Sequence, residues 1–552
     1  MTNKRKVLLS LALSTLAATA MAAVGGKTMC QYIAWESMFW PKSLPVSGDN
    51  YAKVELDKLL GSAAKFDTLV FSPVFGFGMA AADLKSSDYI TEQPSPSKYL
   101  DPYRNALPAL KAAGTDPIKE TVKWCRKHQK EAVVSLPLNF MQLHGKPISQ
   151  KDPKGTWYSY LYPPFKQKNP GCLLNGGDEN DVRWDYIGYC VDYDRADVMK
   201  KFTDIAVEIA SKYDVDGVMI DFMMTNPVIF GSVATDNVPA DAKQLAKLTA
   251  MMTTIKSAVD AASQRLGRKV SFSARVPDSV GYCKDIGIDL VAWLDAKMLD
   301  FVVFGGRFQL NPWKVTGDFM AKYGVPFYAD FAPPGIYVGD DSGWVTDDEQ
   351  LPRFTRDGKT NAARIAEAIG AGAAGCVYTM PGHHENISTH QVLPAMVAFD
   401  KAANRTADKR YLVTYAKTTR CTYAYKGGMK HATVETLESD NPASLAKGAV
   451  KLKINVFDDF AALAKSGLTP KVTLVTQMAI PSGITAMVTL NGKEMTPFRK
   501  RAGSQYYEVP LAVVKTGANE LMVKTKGANK RKQLPAISSA AIEVEFPKEG
   551  GK

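Results

Sequence analysis

Residues 191–224 read VDYDRADVMKKFTDIAVEIASKYDVDGVMIDFMM, where an amphipathic helical pattern from Asp197 to Lys212 leads into the short apolar run GVMIDFM at 217–223. Apolar residues three and four positions apart indicate a helix with one buried face, and a continuous apolar run indicates a strand buried on both faces. A helix followed by such a strand is the unit of parallel sheets, because parallel strands need a crossover connection.

The same unit recurs along most of the chain. Seven further strand-like runs are TMCQYIAW (28–35), TLVFSPVF (68–75), AVVSLPLN (132–139), VSFSARV (270–276), DFVVFGG (300–306), VPFYADF (325–331) and GCVYTM (375–380). Further helical patterns lie at 116–129, 240–266, 311–322 and 361–371, and Asp116 and Asp197 are predicted to cap the first two helices. Eight repeats predict an α/β fold, a (β/α)8 TIM barrel. An open doubly wound sheet is the alternative, but no Gly-rich dinucleotide loop follows the first run.

After about Lys409 the pattern changes to short alternating runs with turn signals between them. The runs are YLVTYAK, VKLKINVF, KVTLVTQM, TAMVTLNGKEM, QYYEVPL, NELMVKT and AIEVEF. Asn491-Gly492 between two of these runs is a strong hairpin signal. We therefore predict an all-β sandwich domain over residues 407–552, which would either brace the barrel or bind glycan.

The amino terminus has the features of a signal peptide over residues 1–22. Lys4, Arg5 and Lys6 precede an apolar run, and small residues around Ala22 suit cleavage. We expect a secreted or periplasmic protein with no transmembrane segment in its mature chain, whose barrel domain spans residues 23–406. A single anchoring helix is the alternative.

The net charge of +12 is unevenly distributed along the chain. From Ala407 onward 23 Lys and Arg residues stand against 12 Asp and Glu residues, whereas residues 23–406 are near neutral. The basic tail domain could attract anionic glycans or wall polymers, or its charge could simply be solvated surface that aids solubility. No nucleic-acid-binding motif is present, so a nucleic acid partner is not expected.

An insert at about 142–191 follows the third run and is rich in aromatic residues. They are Trp157, Tyr158, Tyr160, Tyr162, Phe165, Trp184, Tyr186 and Tyr189. These rings could form a sugar-binding wall or pack the insert onto the barrel. The seven cysteines are too scattered for a disulfide framework. Cys30 and Cys376 are predicted buried thiols, and a Cys172–Cys190 bridge is left open.

Polar residues at the carboxyl ends of barrel strands are the natural catalytic candidates. Hydrolysis of a sugar acetal needs one carboxyl to protonate the leaving oxygen and another to attack or to activate water. Asp221 is the strongest candidate, because it ends an apolar strand where a charge is costly without partners. A structural ion pair with Arg275 of the neighbouring strand is the alternative. Asp330, Asp278 and Glu36 are the other catalytic candidates, each with a structural alternative.

Substrate-binding candidates surround these acids. They are Trp35, Asn139, His144, Arg275, Arg307, Tyr378, His383 and His384. The two arginines could hold hydroxyl, carboxylate or sulfate groups through paired N–H bonds, or they could form ion pairs at the barrel mouth. His383, His384 and Glu385 are adjacent on one loop and are not predicted to hold a metal, and no cofactor is predicted.

Two segments carry a family resemblance. Residues 191–224 and SFSARVPDSVGYCKDIGIDLVAWLDAKMLDFVVFGG (271–306) resemble exported glycosyl-hydrolase-like, family-ten-like barrel proteins of planctomycetes and verrucomicrobia. The matching residues are Tyr213, Asp214, Val215, Asp216, Gly217, Asp221, Arg275, Val276, Pro277, Gly287, Asp289 and Trp293. The chain departs from the family at Met219, where an acid is usual, and at Leu136-Pro137-Leu138-Asn139.

The resemblance implies a TIM barrel with a β-sandwich and glycosidase activity. Together with the acids at the strand ends, it leads to the hypothesis of an exported glycoside hydrolase acting on a polysaccharide or host glycan that could be anionic. A non-catalytic glycan-binding or envelope-associated protein is the alternative.

Overall fold

The structure is a computed structural model of the 552-residue chain. It describes residues 27–32, 60, 63–80, 82–89, 107–139, 163–174, 190–223, 227–306, 309–330, 358–380, 406–414, 425–433, 443–446, 448–527 and 534–547. The predicted signal peptide lies outside the described residues. Among the described helices, none is both long and apolar enough to cross a bilayer.

Eight parallel strands form the N-terminal part of the fold, and each overlaps one of the eight predicted runs, although only the first half of the run 68–75 lies in the barrel. They are β1 (Lys27–Tyr32), β2 (Thr68–Phe71), β6 (Glu131–Pro137), β7 (Gly217–Asp221), β8 (Ser271–Val276), β9 (Phe301–Gly305), β10 (Phe327–Asp330) and β11 (Gly375–Met380). Strand β1 pairs with both β2 and β11, so the strands form a closed ring. The short strands β3 (Val74–Gly76), β4 (Met79–Ala80) and β5 (Asp88–Tyr89) form a separate small sheet beyond β2.

Helices occupy the connections between the barrel strands. They are α1 (Leu107–Ala112), α2 (Pro117–Lys127), α3 (Pro164–Lys168), α4 (Ala196–Lys212), α5 (Gly231–Asp236), α6 (Ala242–Leu266), α7 (Val280–Asp285), α8 (Leu290–Asp295), α9 (Trp313–Met320) and α10 (Gly358–Gly370). The prediction of a TIM-like barrel is confirmed at this level, and its full set of helices stays a prediction.

The helix starts test the capping predictions. Asp116 caps α2 as predicted, because its side chain accepts from the Lys119 N–H. For Asp197 the predicted bond to the first turn is present, because its carboxylate accepts from the Val198 N–H at 3.0 Å, but the residue is not the N-cap of its helix. Helix α4 begins at Ala196 with Arg195 as its N-cap, and Asp197 lies in the first turn, where it forms an ion pair with Arg195. Helix α6 instead has the full capping box, in which Asp241 and Gln244 each satisfy the other's backbone N–H.

One apolar cluster lies inside the ring of strands, and a second lies between the ring and the helices. The inner cluster consists of Met29, Val70, Val133, Met219, Phe301, Val303, Tyr328 and Val377. The neighbouring strand residues, such as Val218, Ile220 and Phe272, belong to the larger cluster beneath the helices. Because successive strand residues point to opposite faces, residues two positions beyond the inner cluster also point inward. This alternation sets the direction of the candidate site residues.

The start of β7 lies at the opposite end of the barrel and carries exposed ion pairs. Asp214 and Asp216 pair with Arg126 of α2 and with Arg268 after α6. The Asp216 carboxylate also accepts from the Ala132 N–H at 2.7 Å. These ion pairs therefore tie α2 and the chain after α6 to this end of the barrel.

The C-terminal domain consists of two antiparallel sheets. Its strands are β12 (Lys409–Thr414), β13 (Ala443–Ser444), β14 (Val450–Val456), β15 (Lys471–Ala479), β16 (Ile484–Leu490), β17 (Lys493–Met495), β18 (Arg499–Arg501), β19 (Ser504–Glu508), β20 (Gly517–Gly527) and β21 (Ala536–Glu545), with a short helix α11 (Phe460–Lys465). One sheet has the order β12-β21-β15-β19-β18 and the other β14-β20-β16-β17. A single apolar cluster contains residues from both sheets, among them Leu474, Ile542, Leu452 and Leu521. The predicted β domain is therefore confirmed, and Asn491-Gly492 forms its predicted hairpin turn with positive φ at both residues.

Contacts of α10 and of a short 3-10 helix join this domain to the barrel. Lys359 of α10 pairs with Glu545 of β21, and Ala363 of the same helix belongs to the apolar cluster of the C-terminal domain. A 3-10 helix at Lys426–His431 packs against α7, where Asp285 accepts from Tyr425 at 2.9 Å and pairs with Lys430 and His431. In sequence, the segment that returns to the barrel therefore lies between β12 and the remaining strands of the C-terminal domain.

The ends of the insert pack against the barrel. Phe165 meets Phe77 edge-on, with ring centroids 5.2 Å apart, as packing of the insert onto the barrel requires. The other predicted wall aromatics lie outside the described residues. Cys172 and Cys190 are buried thiols that flank the Leu173–Val191 bridge, and no disulfide joins them. Cys376 is a buried free thiol as predicted.

Candidate active site

Four polar side chains continue the inward-facing rows of the barrel strands at their carboxyl ends. Ser135, Asp221, Arg275 and Asp330 stand two residues after Val133, Met219, Ser273 and Tyr328 on β6, β7, β8 and β10. Asp221 and Arg275 are register partners on adjacent strands. The pleat and the closed ring therefore gather these groups in one layer above the inner apolar cluster.

Arg275 bridges the two aspartates. Its Nη1 atom donates to Asp221 at 3.0 Å from Oδ2 and 3.3 Å from Oδ1. Its Nε atom donates to Asp330 Oδ2 at 2.7 Å, and its Nη2 atom contacts the same oxygen. One guanidinium thus donates hydrogen bonds to both carboxylates. The planar group of arginine has several N–H donors in fixed directions, which the ammonium group of lysine does not have.

Asp221 has further partners that fix its orientation. Ser135 donates to Oδ2 at 3.2 Å, and the backbone N–H of Met223 donates to Oδ1 at 2.8 Å. Asp221 is therefore bound on each oxygen by groups of β6, β8 and its own strand end.

Burial makes the cluster electrostatically strong. The side chains of Asp221, Arg275 and Asp330 are at most 1% exposed. Burial opposes the charge of Arg275, but the two aspartates outweigh it and raise the pKa of the guanidinium above its ordinary value. Charges in such a site interact much more strongly than they do in water. The cluster is therefore a charged triad. Arg364 of α10 also interacts electrostatically with Asp330.

Gly306 makes room for the triad, and the sequence reasoning missed it. A Cβ atom at this position would lie 2.7 Å from Arg275 Nη2 and 3.3 Å from Asp330 Oδ2. Its φ of +128° is also a conformation that other residues rarely adopt. The signal in the sequence was the Gly305-Gly306 pair at the end of an apolar run.

Asp278 serves a neighbouring loop in this structure. Its carboxylate accepts from the backbone N–H groups of Leu310, at 2.9 Å, and Asn311, at 2.7 Å. Asn311 returns a bond from its side chain to the Asp278 carbonyl at 2.8 Å. The chain after β8 is thus fastened to the chain after β9, and these bonds match the structural alternative for Asp278.

Asp278 gives a pH-dependent prediction. Burial raises the pKa of this carboxyl from 3.8 to about 6, although the backbone N–H groups oppose the shift. The native state then binds this proton more tightly than the unfolded chain does. Its contribution to stability is complete below about pH 3.8 and is lost as the pH rises through about 6. Relative to the Asp278→Asn variant, the free energy of unfolding of the native protein should fall over this window by at most about 3 kcal/mol.

Urea unfolding of both proteins across this pH window measures the difference. The asparagine side chain of the variant retains one acceptor oxygen for the backbone, so the variant is expected to fold. Parallel pH profiles for the two proteins would show that Asp278 does not titrate in this range.

Asn139 also holds backbone. Its amide donates to the carbonyls of Val228, at 3.1 Å, and Val191, at 3.4 Å, and its oxygen accepts from the Val191 N–H at 3.0 Å. The end of the insert is thereby tied to the end of β6. In this arrangement Asn139 positions the rim of the barrel, and its predicted contact with substrate stays a prediction.

The remaining predicted site residues are not placed by the structure. Tyr378 belongs to β11, but its side chain is not described. The others lie outside the described residues: Trp35, Glu36, His144, Arg307, His383, His384 and Glu385. Of the predicted catalytic and binding residues, the structure brings Asp221, Arg275 and Asp330 into direct contact.

Comparison with known proteins gives distant structural likenesses. No protein-family model matches the chain, and no curated protein matches it. The glycoside hydrolase domain of PgaB (BpsB) from Bordetella bronchiseptica is similar to it at 11% identity, with 68% of this chain and 99% of that chain covered and a TM-score of 0.42. Alpha-L-fucosidase isoenzyme 2 from Paenibacillus thiaminolyticus is similar at 9% identity, with 95% and 100% covered and a TM-score of 0.40. Because the likenesses are distant, the assignment of the site rests on this chain's own residues.

Proposed function

We propose that this protein is an exported glycoside hydrolase that cleaves a polysaccharide or host glycan at the carboxyl-terminal mouth of the barrel. The observation that supports this proposal is the convergence of Asp221 and Asp330, from strands far apart in sequence, on one guanidinium. Active sites of TIM barrels lie at this end, and glycosidases use a pair of carboxyl groups.

The triad suggests roles for its members. We assign proton transfer to Asp221 and prefer Asp330 as its partner, because both carboxylates contact Arg275. Asp278 is less suited, because its oxygens accept from two backbone N–H groups, and Glu36 lies outside the described residues. To protonate a leaving oxygen, Asp221 must leave Arg275, take up a proton from solvent water and donate it to the substrate, while Arg275 retains Asp330.

The alternative is a non-catalytic glycan-binding or envelope-associated protein. One observation favours it: the triad is fully buried and internally paired, as a structural cluster would be. In that case the two aspartates and Arg275 would hold β7, β8 and β10 together without touching a substrate. The two functions differ in whether glycan is cleaved.

Product release by the purified protein tests the proposal. We expect new reducing ends from at least one member of a panel of neutral, uronate-bearing and sulfated glycans, with the Asp221→Asn variant as the matched blank. Binding of a glycan without release of reducing ends by either protein would favour the non-catalytic alternative.

A further inference from the structure

Strand β18 carries an unusual concentration of cations at the edge of the C-terminal domain. Arg499, Lys500 and Arg501 are all exposed, and β18 is the last strand of its sheet. Charged residues on an edge strand discourage pairing with other chains, which is one reason to find them there. That reason does not account for the aromatic rings beside them.

Two rings lie among these cations. The guanidinium carbon of Arg499 lies 5.3 Å from the centre of the Tyr506 ring on the paired strand β19. Lys471 Nζ lies 6.0 Å from the centre of the Phe498 ring. Phe498 is 57% exposed and is the one aromatic residue among the exposed large hydrophobic side chains of the described part of the chain. We call Lys471, Phe498, Arg499, Lys500, Arg501 and Tyr506 the basic edge.

The cations of the basic edge are not in ion pairs, although Glu545, which is paired with Lys359, is the register partner of Lys471. Within the described ranges, Lys471, Arg499, Lys500 and Arg501 form no salt bridge with a carboxylate. Lys453 and Lys409, elsewhere in the same domain, do have partners. The positive charge of the basic edge is therefore available to an external anion.

The backbone holds the basic edge in place. The turn between β18 and β19 has positive φ at Ala502 and Gly503, which suits a two-residue hairpin. The Gly503 carbonyl accepts from the Met478 N–H at 2.9 Å, and the Ala502 carbonyl accepts from Gln477 at 3.2 Å. A ligand that binds here has less backbone disorder to overcome, which favours affinity.

We propose that the basic edge binds an anionic polysaccharide, with its cations on carboxylate or sulfate groups and Phe498 against the face of a sugar ring. The chemistry is that of paired N–H bonds from arginine to an oxyanion and of an apolar ring face against C–H groups. Proteins that bind single-stranded nucleic acids stack successive bases on several aromatic platforms along a groove. Here one exposed ring stands on a sheet edge, which favours a glycan. This inference goes beyond the proposed hydrolysis and does not require it.

Binding of the full-length protein to polygalacturonate, to dextran sulfate and to neutral dextran tests the proposal. We expect the two anionic polymers to bind, neutral dextran not to bind, and added salt to weaken the binding. The first two polymers also distinguish carboxylate from sulfate as the preferred group.

Variants with equal charge change locate the site. The triple variant R499Q/K500Q/R501Q should weaken binding at least about tenfold, because it removes the paired N–H donors. The control K451Q/K524Q/K526Q removes the same charge from exposed positions on the outer face of the other sheet and should weaken binding less than about threefold. Phe498→Ala keeps every charge and should still weaken binding about threefold or more.

Equal losses in the two triple variants would overturn the proposal, because they would show diffuse attraction to the whole domain. If neither polygalacturonate nor dextran sulfate bound, the proposal would be overturned as well. A single-stranded oligonucleotide that bound more tightly than both polymers, with the same dependence on Phe498, would assign the basic edge to nucleic acid instead. If the triple variant failed to fold, the binding of the single variants Arg499→Gln and Phe498→Ala would be compared with that of the unchanged protein instead. Hydrolysis of a short neutral substrate should be unchanged in all edge variants, which separates this test from that of the barrel.

Discussion

Replacing Arg275 with methionine is expected to lower the free energy of unfolding by about 3–5 kcal/mol. The variant would leave Asp221 and Asp330 buried without the guanidinium that both contact. Methionine fills a similar volume, so the loss would come from unpaired charge rather than from a cavity. Urea unfolding at neutral pH measures the effect.

Two comparisons make this result specific. Arg268→Met removes an arginine that also contacts two aspartates, Asp214 and Asp216, but at the exposed end of the barrel, and should cost less than about 1 kcal/mol. In the Arg275→Met background, changing both Asp221 and Asp330 to asparagine should recover part of the loss, since both buried carboxylate charges are removed, while Arg364 of α10 keeps its interaction with Glu367. Equal effects of Arg275→Met and Arg268→Met would contradict the buried triad.

The Asp221→Asn variant should lower kcat by about 10²- to 10⁴-fold on any glycan that the protein cleaves. Asparagine keeps the shape of the side chain and can still accept a bond from Met223 N–H, but it cannot transfer a proton. The assay is product release at saturating substrate, corrected for the folded fraction of each protein.

A purely structural role for Asp221 would also reduce activity, so the choice of substrate matters. If Asp221 donates the proton, the loss should be much smaller for an aryl glycoside whose leaving group needs no protonation. Asp214→Asn, at the opposite end of the barrel, should leave turnover unchanged. Equal losses on both kinds of substrate would contradict the assignment of proton transfer to Asp221.

Much of the fold was predictable because its signals are local. Each barrel strand is a short apolar run, and each such run was recognisable from its own residues and the helical pattern beside it. The position of Asp197 in its helix was mispredicted for an equally local reason, although its carboxylate does accept from a first-turn N–H. An ion pair with Arg195 engages the carboxylate, and the helix begins one residue earlier.

The candidate site was predictable only in part. An acid at the end of an apolar strand identified Asp221 and Asp330, and adjacency of strands suggested the contact between Asp221 and Arg275. The bridge to Asp330 was not predictable, since it depends on how far one guanidinium reaches across the ring. Gly306 was missed because its importance comes from Arg275, 31 positions earlier in the sequence, whose guanidinium would clash with a Cβ atom at this position.

The sequence by itself therefore determined the strands, the order of the two domains and the set of acids at the strand ends. These features follow from the pattern of apolar and polar residues within short segments, which can be read without the tertiary structure. Only the tertiary structure decided which charges meet. Arg275 is separated by 54 residues from Asp221 and by 55 from Asp330. Contacts at that separation follow from ring closure and the pleat, which place inward-facing side chains of different strands in one layer.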